Sequence, residues 1–453
     1  MPPKITAHRA PGTRDFLPDE MALRRKVRRV IEEAFERYGF QPLETPAVER
    51  LDVLTGKYGE EADRLIFRIL KRGDELEAGK ASGELADLAL RYDLTVPLAR
   101  VVAMHRGELT YPFKRYQIQP VWRAERPQKG RYREFVQCDA DIVGTASVTA
   151  DAEIIALTHD ILQRLGIPGF RIFINHRKLL QAVAQAAYVG DDRFLEMCLI
   201  IDKADKIGLA GVWQELEAKG FSGRQIDLLK GMLSAREEPS AALKHIAPYI
   251  DETDPGRVAL EEMTRLFSDL EALGVPAERI ALRLYLARGL DYYTGPIFET
   301  LVEEPRIGSV TGGGRYDTLI GMFSGESIPA TGTTIGIERL FDVMRELQLF
   351  GESAEASARV LVTVFSEESR GASLQIATEL RRAGISAEVY LEAPKKLGKQ
   401  FAYADKKRIP FVVVAGPDEI ARGEVTLKTL ATGSQAAVPR DRLIDEVRLL
   451  GGR

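Results

Sequence analysis

Between Tyr111 and Gly144, two strand-like runs flank the short turn Pro127–Gly130, so this stretch reads as one long antiparallel hairpin. A hairpin of that length is not stable alone; it needs further strands beside it and an apolar layer over one face. The same stretch gathers cations. Trp122 to Gln137, WRAERPQKGRYREFVQ, holds Arg123, Arg126, Lys129, Arg131 and Arg133 against only Glu125 and Glu134, in a chain whose net charge is -4. A guanidinium fork matches phosphate and carboxylate, so the cluster is either a local anion site or a solvated basic hairpin.

The flanking sequence supplies partners for such a sheet. From Ala22 to Tyr38, Val27, Val30, Ile31, Ala34 and Phe35 recur at helical spacing and Gly39 ends the pattern, which predicts an amphipathic helix lying on a sheet. The segment FQPLETPAVE is extended but interrupted by Pro42 and Pro46, as in an edge strand; Pro46 suits a dimer seam and an ordinary edge equally. LALRYDLTVPLARVVA reads as a strand, a turn and a helix with Thr95 as cap and Pro97 in its first turn. Residues 177 to about 273 carry helix-period patterns and few strand signals. Strands resume at Arg279 and run through TGGGRYD to TGTTIGIERL, which closes in a helix. Beyond a Gly/Ser/Ala-rich stretch at 351–358, strand and helix patterns alternate, as in a small parallel or mixed α/β domain.

The expected fold is therefore α+β. An antiparallel sheet flanked by helices is built from 1–176 and 274–350, interrupted by a helical insertion at 177–273 and followed by an α/β domain at 358–453. The length of 453 residues suits about three domains of ~150 residues each. The N-terminal stretch lacks an apolar signal region and no segment approaches the ~18 apolar residues of a membrane span, so a cytoplasmic protein without a membrane segment is expected. Cys138 and Cys198 are far apart and outside any CxxC pattern, which supports neither a disulfide framework nor a zinc site; no protein-bound metal site is expected.

Three later segments carry chemistry. ARGLDYYTGPIFE, 287–299, puts Arg288 beside Tyr292 and Tyr293, either as the floor of a pocket for a polar molecule or as a strand end with core tyrosines. The glycines of TGGGRYD permit close backbone approach, to a ligand or to a neighbouring strand, and match neither phosphate-loop nor dinucleotide spacing. TGTTIGIERL places Arg339 at a strand-to-helix junction. None of the five histidines falls in these segments, which weakens a histidine nucleophile or a metal hydrolase. The basic stretch from Lys395 to Arg408 fits a solvated face as well as it fits an RNA contact.

In this order the segments resemble the class II aminoacyl-tRNA synthetases, and over nearly the whole chain they are similar to the histidyl-tRNA synthetase family. WRAERPQKGRYREF is similar to the second class signature, TTIGIERL to the third, and FQPLETPAVE to the first, which carries a dimer-interface proline. RYDLT, ARGLDYYTG and GGGRYD resemble segments peculiar to the histidine enzymes. Trp122, Val136 and Pro296 depart from the commoner family pattern, and RYDLT is like the archaeal and eukaryotic form.

The resemblance implies a histidine-tRNA ligase: ATP, with Mg²⁺, activates L-histidine to the adenylate with release of pyrophosphate, and histidine passes to the 3′ end of tRNA(His). It implies a homodimer and an anticodon-binding role for the α/β domain. By resemblance, Arg123 and Arg288 are the catalytic arginines, and Arg123, Glu125, Arg131, Phe135 and Arg339 bind ATP. Histidine falls to Asp93, Thr95, Gln137, Asp141, Tyr292 and Tyr293 together with Arg123 and Arg288, and Gln128 approaches the tRNA acceptor end. The rival implied by the same resemblance is the catalytically silent, histidine-sensing regulatory subunit of ATP phosphoribosyltransferase. That subunit lacks the anticodon-binding domain and has lost catalytic arginines, whereas Arg123, Arg288, Arg339 and the region beyond Val360 are present here.

Overall fold

The computed structural model describes residues 6–55, 63–127, 130–234, 237–289, 292–350, 356, 358–392 and 396–450. The chain divides into two compact units, Met1–Leu17 with Leu23–Gly351, and Pro18–Ala22 with Glu352–Arg453. The first contains strands β1 (Gln41–Pro42), β2 (Val48–Arg50), β3 (Arg68–Leu70), β4 (Ala86–Leu90), β5 (Phe113–Trp122), β6 (Glu134–Val143), β7 (Phe170–His176), β8 (Ile280–Leu282), β9 (Pro296–Val302), β10 (Thr311–Arg315) and β11 (Ala330–Gly336).

Eight of these form one sheet in the order β1-β5-β6-β11-β10-β9-β7-β8. The six inner strands are mutually antiparallel, and the short edge strands β1 and β8 run parallel to β5 and β7. The predicted hairpin is part of this sheet: β5 and β6 pair without a slip from Phe113 opposite Val143 to Trp122 opposite Glu134. Side chains alternate across each strand, so the two faces differ. Tyr116, Ile118, Cys138, Ala140, Ile142 and Ile335 point into the apolar core. Helix Pro18–Arg37 packs there through Val27, Ile31, Ala34 and Phe35, and helices Val148–Arg164 and Ile337–Glu346 complete the layer. Burying one such Ile or Phe stabilises the fold by about 1.5–3 kcal/mol. The opposite face is polar, with Arg115, Gln117 and Gln119 on β5 and Gln137, Asp139 and Asp141 on β6.

The FQPLETPAVE segment is split between two sheets. β1 lies at the edge of the large one, while β2 belongs to a three-stranded sheet in the order β2-β4-β3. Buried Arg91 ties the two together, donating to the carbonyls of Thr45, Pro46 and Pro120. Helix Thr95–Met104 follows β4, but Thr95 does not cap it. The N-cap position is Leu94, and the capping hydrogen bonds come from the residue before it: Asp93 Oδ1 accepts from the N–H groups of Thr95 and Val96 at 3.1 Å each. A carboxylate there satisfies two otherwise unpaired donors and faces the positive end of the helix dipole.

Helices Arg177–Ala186, Asp191–Ile201, Ala204–Ala218, Gly223–Leu233, Pro239–Ile250 and Asp254–Ala272 follow β7, with no strand among the described residues 177–279. Met197, Ile246 and Met263 of these helices share one continuous apolar cluster with Ile154 and Ile172, so the helices are built directly on the sheet layer. After β8 the chain does not stay in the sheet as the strand pattern predicts. Asn175 Nδ2 donates to the carbonyls of Leu284 and Leu286, which draws the backbone out of the ladder until β9 begins at Pro296.

The second unit has strands β12 (Val360–Val362), β13 (Ala387–Val389), β14 (Phe411–Val414), β15 (Glu424–Thr429) and β16 (Gln435–Pro439) in the order β13-β12-β14-β15-β16. β12 runs parallel to β13 and β14, and β14, β15 and β16 are antiparallel, so the sheet is mixed. Helices Arg370–Arg382 and Leu443–Leu450 close a core of Val360, Ile376, Leu380, Val413 and Val447.

Candidate active site

The polar face of the large sheet is a set of cross-strand rows fixed by register. One row runs Arg115, Asp141, Gly332, Gly314 across β5, β6, β11 and β10; the next runs Gln117, Asp139, Thr334, Gly312 and Glu299 onto β9. The glycines are steric necessities. A Cβ on Gly332 would lie 1.9 Å from Asp141 Oδ1, one on Gly313 2.1 Å from the Gly332 carbonyl, and one on Gly314 2.9 Å from the Tyr293 ring. The glycine run of β10 therefore serves close strand packing and makes room for a tyrosine of the site.

Asp141 is buried, joined to Arg115 at 2.7 Å and accepting from the Tyr316 hydroxyl. Burial raises its carboxyl, with Arg115 and Tyr316 opposing. Burial also pushes Asp139 up to about 8, against the pull of Arg115 and with the added push of Asp141 and Asp93. Gln137 is buried beside Thr334, its Oε1 without a partner among the described residues. Tyr292 and Tyr293 stand over these groups with ring centroids 4.3 Å apart. Burial raises both phenols, Tyr292 to about 12 and Tyr293 well above its ordinary value, with Asp93 and Asp139 adding to the first and Tyr292, Asp141 and Asp139 to the second. Both tyrosines are thus hydroxyl donors at any physiological pH.

The arginines meet at the other end of the cleft. Arg123 Nε donates to the Tyr92 carbonyl at 3.1 Å, and its guanidinium lies 4.3 Å from the Tyr92 ring and 5.1 Å from the Phe135 ring. Arg288 is paired with Glu299, and Arg131 stands 3.7 Å from Glu125. Arg339 donates to the Ser309 carbonyl at 2.6 Å. Its guanidinium is held below the usual value by burial and then by the like charges of Arg288, Arg131 and Arg123, with Glu125 opposing. Four arginines from three parts of the chain thus share one cleft. Their mutual repulsion is relieved by a polyanion, which makes the cleft a receptor for phosphate.

The structure brings together Asp93, Thr95, Arg123, Glu125, Arg131, Phe135, Gln137, Asp141, Arg288, Tyr292, Tyr293 and Arg339. Gln128 lies outside the described residues. Sequence reasoning missed Asp139, Arg115, Tyr316 and Glu299. The first two were signalled by polar residues at every second position, Arg115, Gln117 and Gln119 on β5 and Gln137, Asp139 and Asp141 on β6, a period-two polar face. Glu338, adjacent to Arg339, faces away from the cleft and is held by Arg14 and Arg24. Among the described residues no three or more His, Cys, Asp or Glu side chains are placed so that they could hold a metal ion together.

An antiparallel sheet whose polar face gathers arginines from a long hairpin and from a strand-to-helix junction is the core of a class II aminoacyl-tRNA synthetase. The family model described as histidyl-tRNA synthetase matches residues 12–340, and the one described as anticodon binding domain matches residues 359–450. A histidine-tRNA ligase of Cytophaga hutchinsonii is 44% identical over 96% of this chain and 98% of its own. The ligase of Aeropyrum pernix is 44% identical over 97% of each chain. The crystal structure of histidyl-tRNA synthetase from Nostoc sp. superposes with a TM-score of 0.85 at 33% identity, covering 99% of this chain and 100% of that one. The chain belongs to the histidyl-tRNA synthetase family.

Proposed function

We propose that this protein is a histidine-tRNA ligase that condenses L-histidine with ATP and passes the histidyl group to the 3′ end of tRNA(His). The observation that carries the reading is the convergence of Arg123, Arg131, Arg288 and Arg339 beside a buried pocket of carboxylates and tyrosine hydroxyls. The histidine carboxylate attacks the α-phosphorus and pyrophosphate leaves, so charge moves across phosphoryl oxygens. Cations already in place stabilise that charge without reorganising solvent. Arg123 and Arg288 serve the α-phosphate and the amino-acid carboxylate. Arg131 and Arg339 hold the distal phosphates, while Glu125 and Phe135 read adenine by hydrogen bond and stacking. Asp93, Thr95, Gln137 and Asp141 with Tyr292 and Tyr293 hold the amino group and the imidazole. A pocket built to hydrogen-bond both ring nitrogens rejects apolar analogues strongly, because its buried polar groups would be left unpaired.

A Mg²⁺ ion bound with ATP would be held by Glu125 and Glu299, the acids among the arginines. When bound, the metal neutralises phosphate charge. Gln128, which in sequence lies between the two long strands of the hairpin, is assigned to the tRNA acceptor end. Residues 1–176 and 274–350 form the catalytic core, 177–273 a helical insertion and 358–453 the anticodon-reading domain, in a cytoplasmic homodimer seamed near Pro46. Among the described residues no helix is long and apolar enough to cross a membrane.

The sensor reading has one observation in its favour. A Bacillus halodurans structure titled as an ATP phosphoribosyltransferase regulatory subunit/histidyl-tRNA synthetase matches with a TM-score of 0.74 at 25% identity. Retention of all four cleft arginines and of the anticodon-domain match argues for the enzyme. Purified protein that binds histidine yet exchanges no pyrophosphate into ATP would decide for the sensor.

A further inference from the structure

Asp139 sits at the centre of the polar face, 2% exposed, and is not among the residues assigned to either substrate above. Its Oδ1 is buried with no hydrogen-bond partner among the described residues, although a buried carboxylate oxygen ordinarily has one. The groups around it come from every element that packs there. β5 supplies Arg115, with Gln117 directly opposite Asp139, β6 supplies Asp141, and β11 supplies Thr334, opposite Asp139 on its other side. The turn before helix Thr95–Met104 contributes Asp93, and Tyr292, Tyr293 and Tyr316 close the pocket. Three carboxyls therefore share a pocket whose buried cation, Arg115, is already paired with Asp141. Three carboxyls against one guanidinium leave an excess of two negative charges, and a proton on Asp139 lowers that excess to one. An amino acid brings the missing charge as its ammonium group.

We propose that Asp139 is a further carboxylate for the cationic end of the bound amino acid and that it releases its proton to solvent as that cation arrives. The inference rests on the reading of this cleft as the histidine pocket. The exchange is balanced: the ligand ammonium stays protonated, the Asp139 carboxyl loses one proton to buffer, and an ion pair replaces an unpaired buried oxygen. With the empty-site carboxyl pushed up to about 8, the proton is present at pH 7 and already gone above about pH 9.

The test is calorimetric titration of the full-length protein with L-histidine at pH 7, in phosphate, HEPES and Tris. The dependence of heat on buffer ionisation enthalpy counts protons released. Wild type should release about one proton more than Asp139→Asn, with the difference vanishing above about pH 9. Any proton taken up or lost by the ligand imidazole is common to both proteins and cancels. In histidine-dependent exchange, Asp139→Asn should raise KM for histidine about tenfold or more and leave KM for ATP unchanged. Equal proton counts in the two proteins overturn the proposal. Should the variant not fold, wild type alone decides: at pH 7, where the free ligand ammonium is already protonated, about one proton must be released, and a count near zero overturns it. A wild type with no exchange at all would instead sink the ligase reading, a separate outcome.

Discussion

Arg288 is half-exposed and paired with Glu299, so its removal leaves no large cavity and its effect should be on chemistry. Arg288→Ala should lower histidine-dependent pyrophosphate exchange by about 10²–10³-fold while changing histidine affinity by less than about threefold. Equal loss of binding and rate would mean the side chain only holds the pocket together. Gly332→Ala tests the steric argument: the added Cβ would displace the Asp141 carboxylate, so KM for histidine should rise sharply in a protein that still folds. Asp139 and Asp151, raised by burial to about 8 and about 6, also set a pH dependence. An acid raised above its unfolded value near 3.8 contributes stability below that value and loses it as pH rises through the folded value. Wild type should therefore lose stability between about pH 4 and pH 8, and Asp139→Asn should flatten the upper part of that slope in melting curves. At this scale the arginines were legible because a cation cluster stands out in an acidic chain. The alternation of β5 and β6 marks Asp139 and Arg115 only as members of a polar face; their meeting depends on strand register and on burial that a one-dimensional pattern does not carry.

Helix Thr95–Met104 shows how one element serves fold and site together. Asp93 caps it, and the cap fixes the carboxylate at the mouth of the pocket. Asparagine caps as well as aspartate, whereas alanine costs about 1 kcal/mol. Asp93→Asn should thus melt like wild type yet bind histidine more weakly, and Asp93→Ala should lose both; an Asn variant with wild-type KM would leave Asp93 a capping residue alone. The hairpin, the first helix and the helical run 177–272 were legible because each has a sustained period of 2 or 3.6 residues. The cap was misassigned to Thr95 because aspartate and threonine both favour that position and only coordinates separate them. Segment 283–295 reads as strand from its apolar content, but the side chain of Asn175, more than a hundred residues earlier, claims its carbonyls.

The whole chain divides its work between two units. The site residues described here all lie within 23–351, and the anticodon-domain match lies within 359–450. A chain ending near residue 355 should keep histidine-dependent exchange within a few-fold of the full protein and lose most tRNA charging. Undiminished charging would refute the tRNA role of the second unit. The arrangement of one core from 1–176 and 274–350 followed the pattern of strands interrupted by helices, while the shared apolar cluster beneath sheet and helices was invisible without coordinates. The central claim is that this cleft joins one amino acid to ATP through fixed arginines. It is tested most directly by pyrophosphate exchange into ATP with each of the twenty amino acids in turn: exchange with histidine alone is predicted, and no exchange with histidine, or equal exchange with another amino acid, would contradict it.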